Sequence, residues 1–294
     1  MSRPQTLISL LALGALVALA GCGGEPATPA VEPGAPSLGP KVEGTIEAMI
    51  PCGQVGPFSE ALELFQKANP GVEVLWVPEN MVPIVRKILD GKAAPDLCLT
   101  MGDLEMDLIE EGGRVAEGTR TRYAENSLAL MVPKGNPAGV RTIMDLAKPA
   151  VKRISIPDPE LNSVGKHAVE ALKRAGIWEQ VKGKVFLMRE AAEAKDATAQ
   201  QQVQASIGYY PCAREVHVPG QAPAQPKNLE LVGHVSADLY DPFWCEGAVI
   251  EGAKNPDGGA ALIGFLMTPE AQEIFRKWHF VREETEPAGG EPSS

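Results

Sequence analysis

Short β-type runs alternate with helix-forming segments through most of this 294-residue chain. That alternation restricts the fold to parallel sheets with helices packed on both faces. Residues 44–50 form a β-type run ended by Pro51-Cys52-Gly53. A helix over 58–68 follows, with Phe58, Ala61, Leu62, Leu64 and Phe65 on its apolar side and Asn69-Pro70-Gly71 as its stop. The pattern then predicts a strand over 72–77, a helix over 82–89 ended by Asp90-Gly91, and an apolar strand over 96–100. Further strands are expected over 127–133 and 153–157. A helix over 164–175 is closed by Gly176, and another over 191–204 leads into Ile207-Gly208-Tyr209-Tyr210. A late strand over 247–251 precedes two helices, 257–267 and 269–278. Residues 217–227, with their Pro and Gln, read as a loop. In open α/β sheets ligands collect where strand ends turn into helix N-termini. Those points are 52–58, 78–81, 97–103, 158–165 and 209–212.

The N-terminus sets the compartment. Arg3 precedes an apolar run, 7–20, interrupted by Ser9, and small residues lead into Cys22. The run is shorter than the roughly 20 apolar residues a spanning helix needs, so it reads as a removable export signal over 1–21. Leu19-Ala20-Gly21-Cys22 resembles the lipobox of bacterial lipoproteins, which implies cleavage before Cys22 and its acylation. An extracytoplasmic protein held to membrane lipid follows, because two or more acyl chains anchor stably. Residues 22–43 are rich in Gly, Pro and Ala and predict a flexible linker; 283–294 predict a disordered tail.

About 270 residues remain after removal of the signal, enough for one large domain or two ordinary ones. A formal net charge of −11 argues against a nucleic-acid partner. No HExxH, GxSxG, Walker or GxGxxG motif is present, and no histidine can be assigned to a cysteine nucleophile. The sequence therefore reads as a non-enzyme.

From about residue 45 to 280 the chain resembles the periplasmic molybdate-binding proteins, the solute receptors of ABC importers. Residues 126–134, Asn-Ser-Leu-Ala-Leu-Met-Val-Pro-Lys, look like that family's crossing strand between lobes. Asp158-Pro159-Glu160 with the helix to Trp178 resembles its strand–loop–helix unit, and Ala248-Val249-Ile250-Glu251-Gly252 its returning strand. Residues 265–275, ending at His279-Phe280, are similar to its last helix. The resemblance implies an α/β, two-lobed periplasmic-binding-protein fold of type II. Lobe 1 would comprise 44–125 and 241–282, lobe 2 would comprise 126–240, and two crossing segments would join them. It also implies a monomer that works with an ABC permease and ATPase and binds molybdate or tungstate, with no cofactor. A lipid-tethered sensor with the same fold is the alternative role.

Carried over by position, the binding loops are Pro51-Cys52-Gly53-Gln54, Glu79-Asn80-Met81 and the turn at Asn162-Ser163, with Tyr209 as binding tyrosine. The ligand-binding candidates are thus Cys52, Gly53, Asn80, Ser163 and Tyr209. Ser163 can also cap the helix that follows it. Where the family carries hydroxyl donors, this chain has Cys52 and Asn80, and Glu79 adds a carboxylate beside the second loop. Four cysteines besides Cys22 leave three readings open. They could form disulfides Cys52–Cys98 and Cys212–Cys245. Cys52, Cys98, Cys212 and Cys245 could instead gather as a soft-metal site in the cleft, or remain inert buried thiols. His167 and His279 read as solvated, Trp76 and Trp244 as wall packing, and Asp103 and Glu246 as weaker ligand candidates.

Overall fold

The structure, a computed structural model, describes residues 42–211 and 228–281. The signal and linker expectations, Cys22, Cys212, the loop at 217–227 and the tail at 283–294 lie outside them.

Two five-stranded sheets organise the chain. The first joins β1 (Gly44–Pro51), β2 (Val72–Glu79), β3 (Leu97–Leu99), β4 (Thr121–Asn126) and β10 (Phe243–Ala248) in the order β2-β1-β3-β10-β4. The second joins β5 (Leu128–Pro133), β6 (Ile154–Pro157), β7 (Val185–Met188), β8 (Ala205–Tyr209) and β9 (Leu229–His234) in the order β7-β6-β8-β5-β9. Each sheet has three parallel strands and then one antiparallel strand arriving from the other lobe: β10 lies against β3, and β5 against β8. This is the two-lobed α/β architecture the resemblance implied.

Burial explains the strand sequences. Every residue of β3, β5, β6 and β8 is buried. Strands covered on both faces read as continuous apolar runs. Helices α1 (Val55–Ala68), α2 (Met81–Leu89), α3 (Asp103–Glu111), α7 (Pro256–Leu266) and α8 (Pro269–Lys277) accompany the first sheet. Helices α4 (Ser163–Arg174), α5 (Trp178–Val181) and α6 (Ala191–Ala199) accompany the second. In α1, Phe58, Ala61, Leu62 and Phe65 are buried as expected, while Leu64 is exposed.

The chain crosses between lobes at Ser127 and returns between β9 and β10. The Leu128 N–H donates to the Tyr240 hydroxyl at 3.2 Å, tying the two crossings together. His167 is packed here rather than solvated. Its ring stacks on Phe243 with centroids 4.4 Å apart, and Nδ1 lies 2.9 Å from Glu170. The face of α4 that looks polar in sequence is thus buried against the crossing. His279 is half-buried and meets the Tyr210 ring edge-on.

Other expectations change in detail. The late strand starts at Phe243 and ends at Ala248, with Ile250 only bridging to Val115. The helix expected over 191–204 stops at Ala199, where Gln201 takes a φ of 60°. Strands β4, β7 and β9 and helix α3 were not anticipated.

Candidate functional site

Loops at the strand ends of both sheets enclose one pocket. Pro51, Cys52 and Gly53 reach it from the end of β1, Asn80 and Met81 from the start of α2, and Met101 from beyond β3. From the second lobe come Asn162 before α4, Glu190, Ala191, Ala192 and Lys195 at the start of α6, and Tyr209 and Pro211 after β8. Trp278 and Phe280, beyond α8, complete the apolar wall. The cavity is about 90 Å³. That is far below the roughly 300–1,000 Å³ of sites for drug-sized ligands, so it suits a small ion or molecule.

Three helices point their N-termini at this space. Asn80 is the N-cap of α2, Asn162 of α4 and Glu190 of α6. The amides of a first helical turn lack intrahelical partners, and the helix dipole leaves them positive. Asn162 secures α4 by accepting from Val164 N–H at 3.3 Å, so it is Asn162, not Ser163, that caps this helix. Gly165 allows the close seat of α4 on β6. A Cβ there would stand 2.2 Å from the Pro157 carbonyl oxygen.

Of the ligand-binding candidates, Cys52, Gly53, Asn80 and Tyr209 line the pocket. The Cys52 thiol donates to Asn80 Oδ1 at 3.2 Å, which joins the first two loops. Enclosure by the pocket walls pushes this thiol above its ordinary value, Lys195 opposing and Glu190 reinforcing the effect. Gln54 turns away: its amide donates to the Thr100 carbonyl at 3.1 Å, and its oxygen accepts from Tyr123. Glu79 is neutralised by Lys87, whose Nζ is 2.6 and 2.8 Å from its oxygens. Its carboxylate therefore does not oppose an anion as the sequence suggested.

Ser163 is fully buried and absent from the pocket lining. Its backbone N–H donates to Glu105 Oε1 at 3.1 Å, its hydroxyl donates to Glu105 Oε2, and that hydroxyl accepts from Leu104 N–H at 3.0 Å. Glu105 comes from the first lobe and Ser163 from the second. The Tyr209 hydroxyl lies 3.3 Å from Glu105 Oε1 and 3.1 Å from Asn162 Oδ1. Burial pushes the Glu105 carboxyl up from its ordinary value, and the Ser163 bonds hold the rise in check.

The cysteines do not converge. Cys98 is paired in register with Met49, three residues short of Cys52 along β1, and its thiol is buried against the Leu99 carbonyl at 3.6 Å. Cys52 and Cys98 are both free thiols, so the expected Cys52–Cys98 disulfide is not formed. Burial pushes the Cys98 thiol up to about 12. Cys245 is buried in the first sheet, where the Asn126 side-chain amide donates to its sulfur at 2.9 Å. Neither Cys98 nor Cys245 reaches the pocket, and among the described residues no three His, Cys, Asp or Glu side chains are grouped to hold a metal. The pairing of Cys245 with Cys212 involves a residue outside those described.

Asp103 and Glu246 serve ion pairs instead of the pocket. Asp103 meets Lys166 at 3.1 Å and His167 at 3.5 Å; Glu246, buried, meets Arg120 and Arg122. Trp76 packs edge-on against Phe58, and Trp244 lies under Arg122.

The α6 start and Glu105 were not foreseen. Glu190-Ala191-Ala192-Glu193 forms a capping box in which Glu193 accepts from Arg189 and Glu190 N–H at 3.0 and 3.3 Å. That spacing is readable in sequence. Had 185–188 been taken as a strand, its end would have joined the other candidate loops.

Comparison with known proteins agrees with this geometry. YvgL of Bacillus subtilis, provisionally named an ABC transporter substrate-binding lipoprotein, is 22% identical over 68% of this chain and 72% of its own length. The molybdate-binding protein ModA of Escherichia coli is 24% identical over 81% of this chain and 89% of its own length. In other molybdate-binding relatives the match covers 52–65% of their length. The periplasmic molybdate-binding protein of Azotobacter vinelandii superposes with a TM-score of 0.63 at 15% identity, over 81% of this chain and 99% of that one. A profile of bacterial extracellular solute-binding proteins matches residues 49–281, and with two lobes enclosing one small pocket this chain belongs to that family.

Proposed function

We propose that this chain is the lipid-anchored substrate-binding component of an ABC importer, and that its cargo is a small oxyanion of the molybdate or tungstate type. The observation that carries the ligand class is the meeting of three helix N-termini, those of α2, α4 and α6, on one small pocket. The positive ends of the three helix dipoles favour an anion there. Asn80 and Lys195 add side-chain donors at the same walls, which Tyr209 also lines. The molybdate-binding relatives support the same choice. As a member of a solute-binding family, the protein binds and hands over its cargo and is not an enzyme.

The proposed role places it outside the cytoplasm, with acylated Cys22 in a membrane and a permease and ATPase as partners. Among the described residues no helix is long and apolar enough to cross a membrane. The lipobox-like tetrapeptide and the lipoprotein named among the relatives support the anchor.

Thermal melting with molybdate, tungstate, sulfate and phosphate tests the ligand class. A ligand at about 100 times its Kd stabilises the folded state by about 2.7 kcal/mol, which a melt resolves easily. A marked shift with molybdate or tungstate is expected. No shift with any of the four, at any pH from about 6.5 to about 9, would overturn the oxyanion reading.

A further inference from the structure

Most polar groups on the pocket wall are already committed. The Tyr209 hydroxyl stands between Glu105 and Asn162, Glu190 accepts from the Glu193 N–H in the α6 capping box, and the Cys52 thiol donates to Asn80 Oδ1. The first two amides of α4 are taken as well, that of Ser163 by Glu105 at 3.1 Å and that of Val164 by Asn162 at 3.3 Å. Among the described residues, neither the Asn80 side-chain N–H nor the Lys195 ammonium makes a hydrogen bond or an ion pair. Lys195 is the one cation among the described lining residues.

The rest of the wall is soft. Three sulfur-bearing side chains, Cys52, Met81 and Met101, line the pocket together with the rings of Trp278 and Phe280. The Trp278 indole N–H donates to Glu60 at 3.0 Å, so this ring has no donor left for a ligand. An anionic oxygen set against carbon and sulfur gives up its hydrogen bonds to water without replacement. A sulfur atom in its place gives up weaker ones and gains dispersion from polarisable neighbours. Three sulfurs by themselves would suit a soft cation, but Lys195 and the positive helix ends at the same walls repel one.

We propose that the preferred cargo is a tetrahedral thio-oxyanion, in which sulfur replaces at least one oxygen. Its oxygens meet Asn80, Lys195 and the N-termini of α2 and α6; its sulfur meets Cys52, Met81, Met101 and the two rings. This rests on the oxyanion reading above and names the member of that class the wall selects. Cys52 is the specificity-determining residue. Where the molybdate-binding family carries a hydroxyl, a thiol is a poor donor, and its one hydrogen is already turned to Asn80.

Calorimetric titration of the mature chain with two matched pairs provides the test: sulfate against thiosulfate, and tungstate against dithiotungstate. Both members of each pair are dianions, so Lys195 and the helix dipoles act on them alike and their affinity ratio reports the wall. In at least one pair the sulfur member should bind about tenfold or more tighter than its all-oxygen partner. Cys52→Ser, at an exposed position and nearly the same in shape, supplies a hydroxyl donor. It should strengthen the all-oxygen member and lower the ratio at least about threefold, with melting unchanged. Lys195→Gln should weaken both members and leave the ratio near that of wild type. All-oxygen members bound as tightly as their partners in both pairs would overturn the proposal and leave the oxyanion reading standing. A sulfur preference that Cys52→Ser leaves unchanged would also overturn it, since ligand size rather than the wall would then set the choice. A ratio that collapses in Lys195→Gln would overturn the assignment of the two poles. Binding of none of the four anions, in protein that melts cooperatively, would overturn the oxyanion reading and the proposal with it.

Discussion

Gly102→Ala should prevent the lobes from closing without touching the pocket wall. Gly102 is the N-cap of α3 with φ −165° and ψ 176°, extended backbone that alanine adopts without strain. The obstacle is across the cleft: an added Cβ would stand 2.1 Å from both Cβ and Oγ of Ser163. Carbon atoms in contact rest about 3.5–4.0 Å apart, so the lobes must part there by about 1.5 Å. The bonds of 3.1 Å from Ser163 N–H to Glu105 and 3.0 Å from Leu104 N–H to the Ser163 hydroxyl would then exceed hydrogen-bond range. These two bonds, one of them to a carboxylate, contribute about 2–4 kcal/mol net, a range that overlaps the ordinary cost of overpacking. At about 1.4 kcal/mol per tenfold, the closed form should become roughly 30- to 700-fold rarer. Solution scattering should report a larger radius for the variant, and tungstate should bind at least about tenfold more weakly. Scattering and affinity both equal to wild type would refute the argument, for the Gly102–Ser163 contact would then not limit closure.

Tyr209→Phe removes a hydroxyl placed between Glu105 and Asn162, and should cost about 1 kcal/mol of oxyanion affinity by calorimetry. Glu190 contributes to stability with a definite sign. Its folded value of about 7 lies above the ordinary 4.5, so its proton is held better in the folded state. That stability is present in acid and fades as pH rises from 4.5 through about 7. After allowance for screening this is on the order of 1–2 kcal/mol, and urea melts should show wild type losing more stability than Glu190→Gln between these limits. Thiol labelling of native protein should modify Cys52, increasingly at high pH, and leave Cys98 untouched until the chain unfolds. Cys22→Ser should abolish fatty-acid labelling and release the protein from membranes; equal labelling of variant and wild type would refute the anchor.

Much of the architecture is local in origin and so was legible in the chain. The buried runs of β3, β5, β6 and β8 are apolar almost throughout. Helices such as α1 and α4 carry a clear stripe, and Gly or Pro closes many elements. Strand ends preceding helices marked 52–58, 78–81 and 209–212, and the resemblance to the molybdate-binding proteins picked Cys52, Gly53, Asn80 and Tyr209 out of them. What the chain could not reveal depends on partners distant in sequence. Thr121–Asn126 is too polar to declare itself a strand and becomes one by pairing with Phe243–Ala248. Edge strand Val185–Met188 is only four residues long, and without it the α6 N-terminus was not counted as part of the site. Cys98 lies at a strand end yet turns inward, because register with Met49 and Ala248 decides which face it presents. Ser163 carries the residue type expected of an anion ligand, but Glu105, 58 positions away, takes up its amide and its hydroxyl. Periodicity and turn chemistry report which faces are apolar and where elements stop. Only the juxtaposition of two lobes determines which charged groups meet across the cleft, since Coulomb and hydrogen-bond terms depend on distances that the chain acquires on folding.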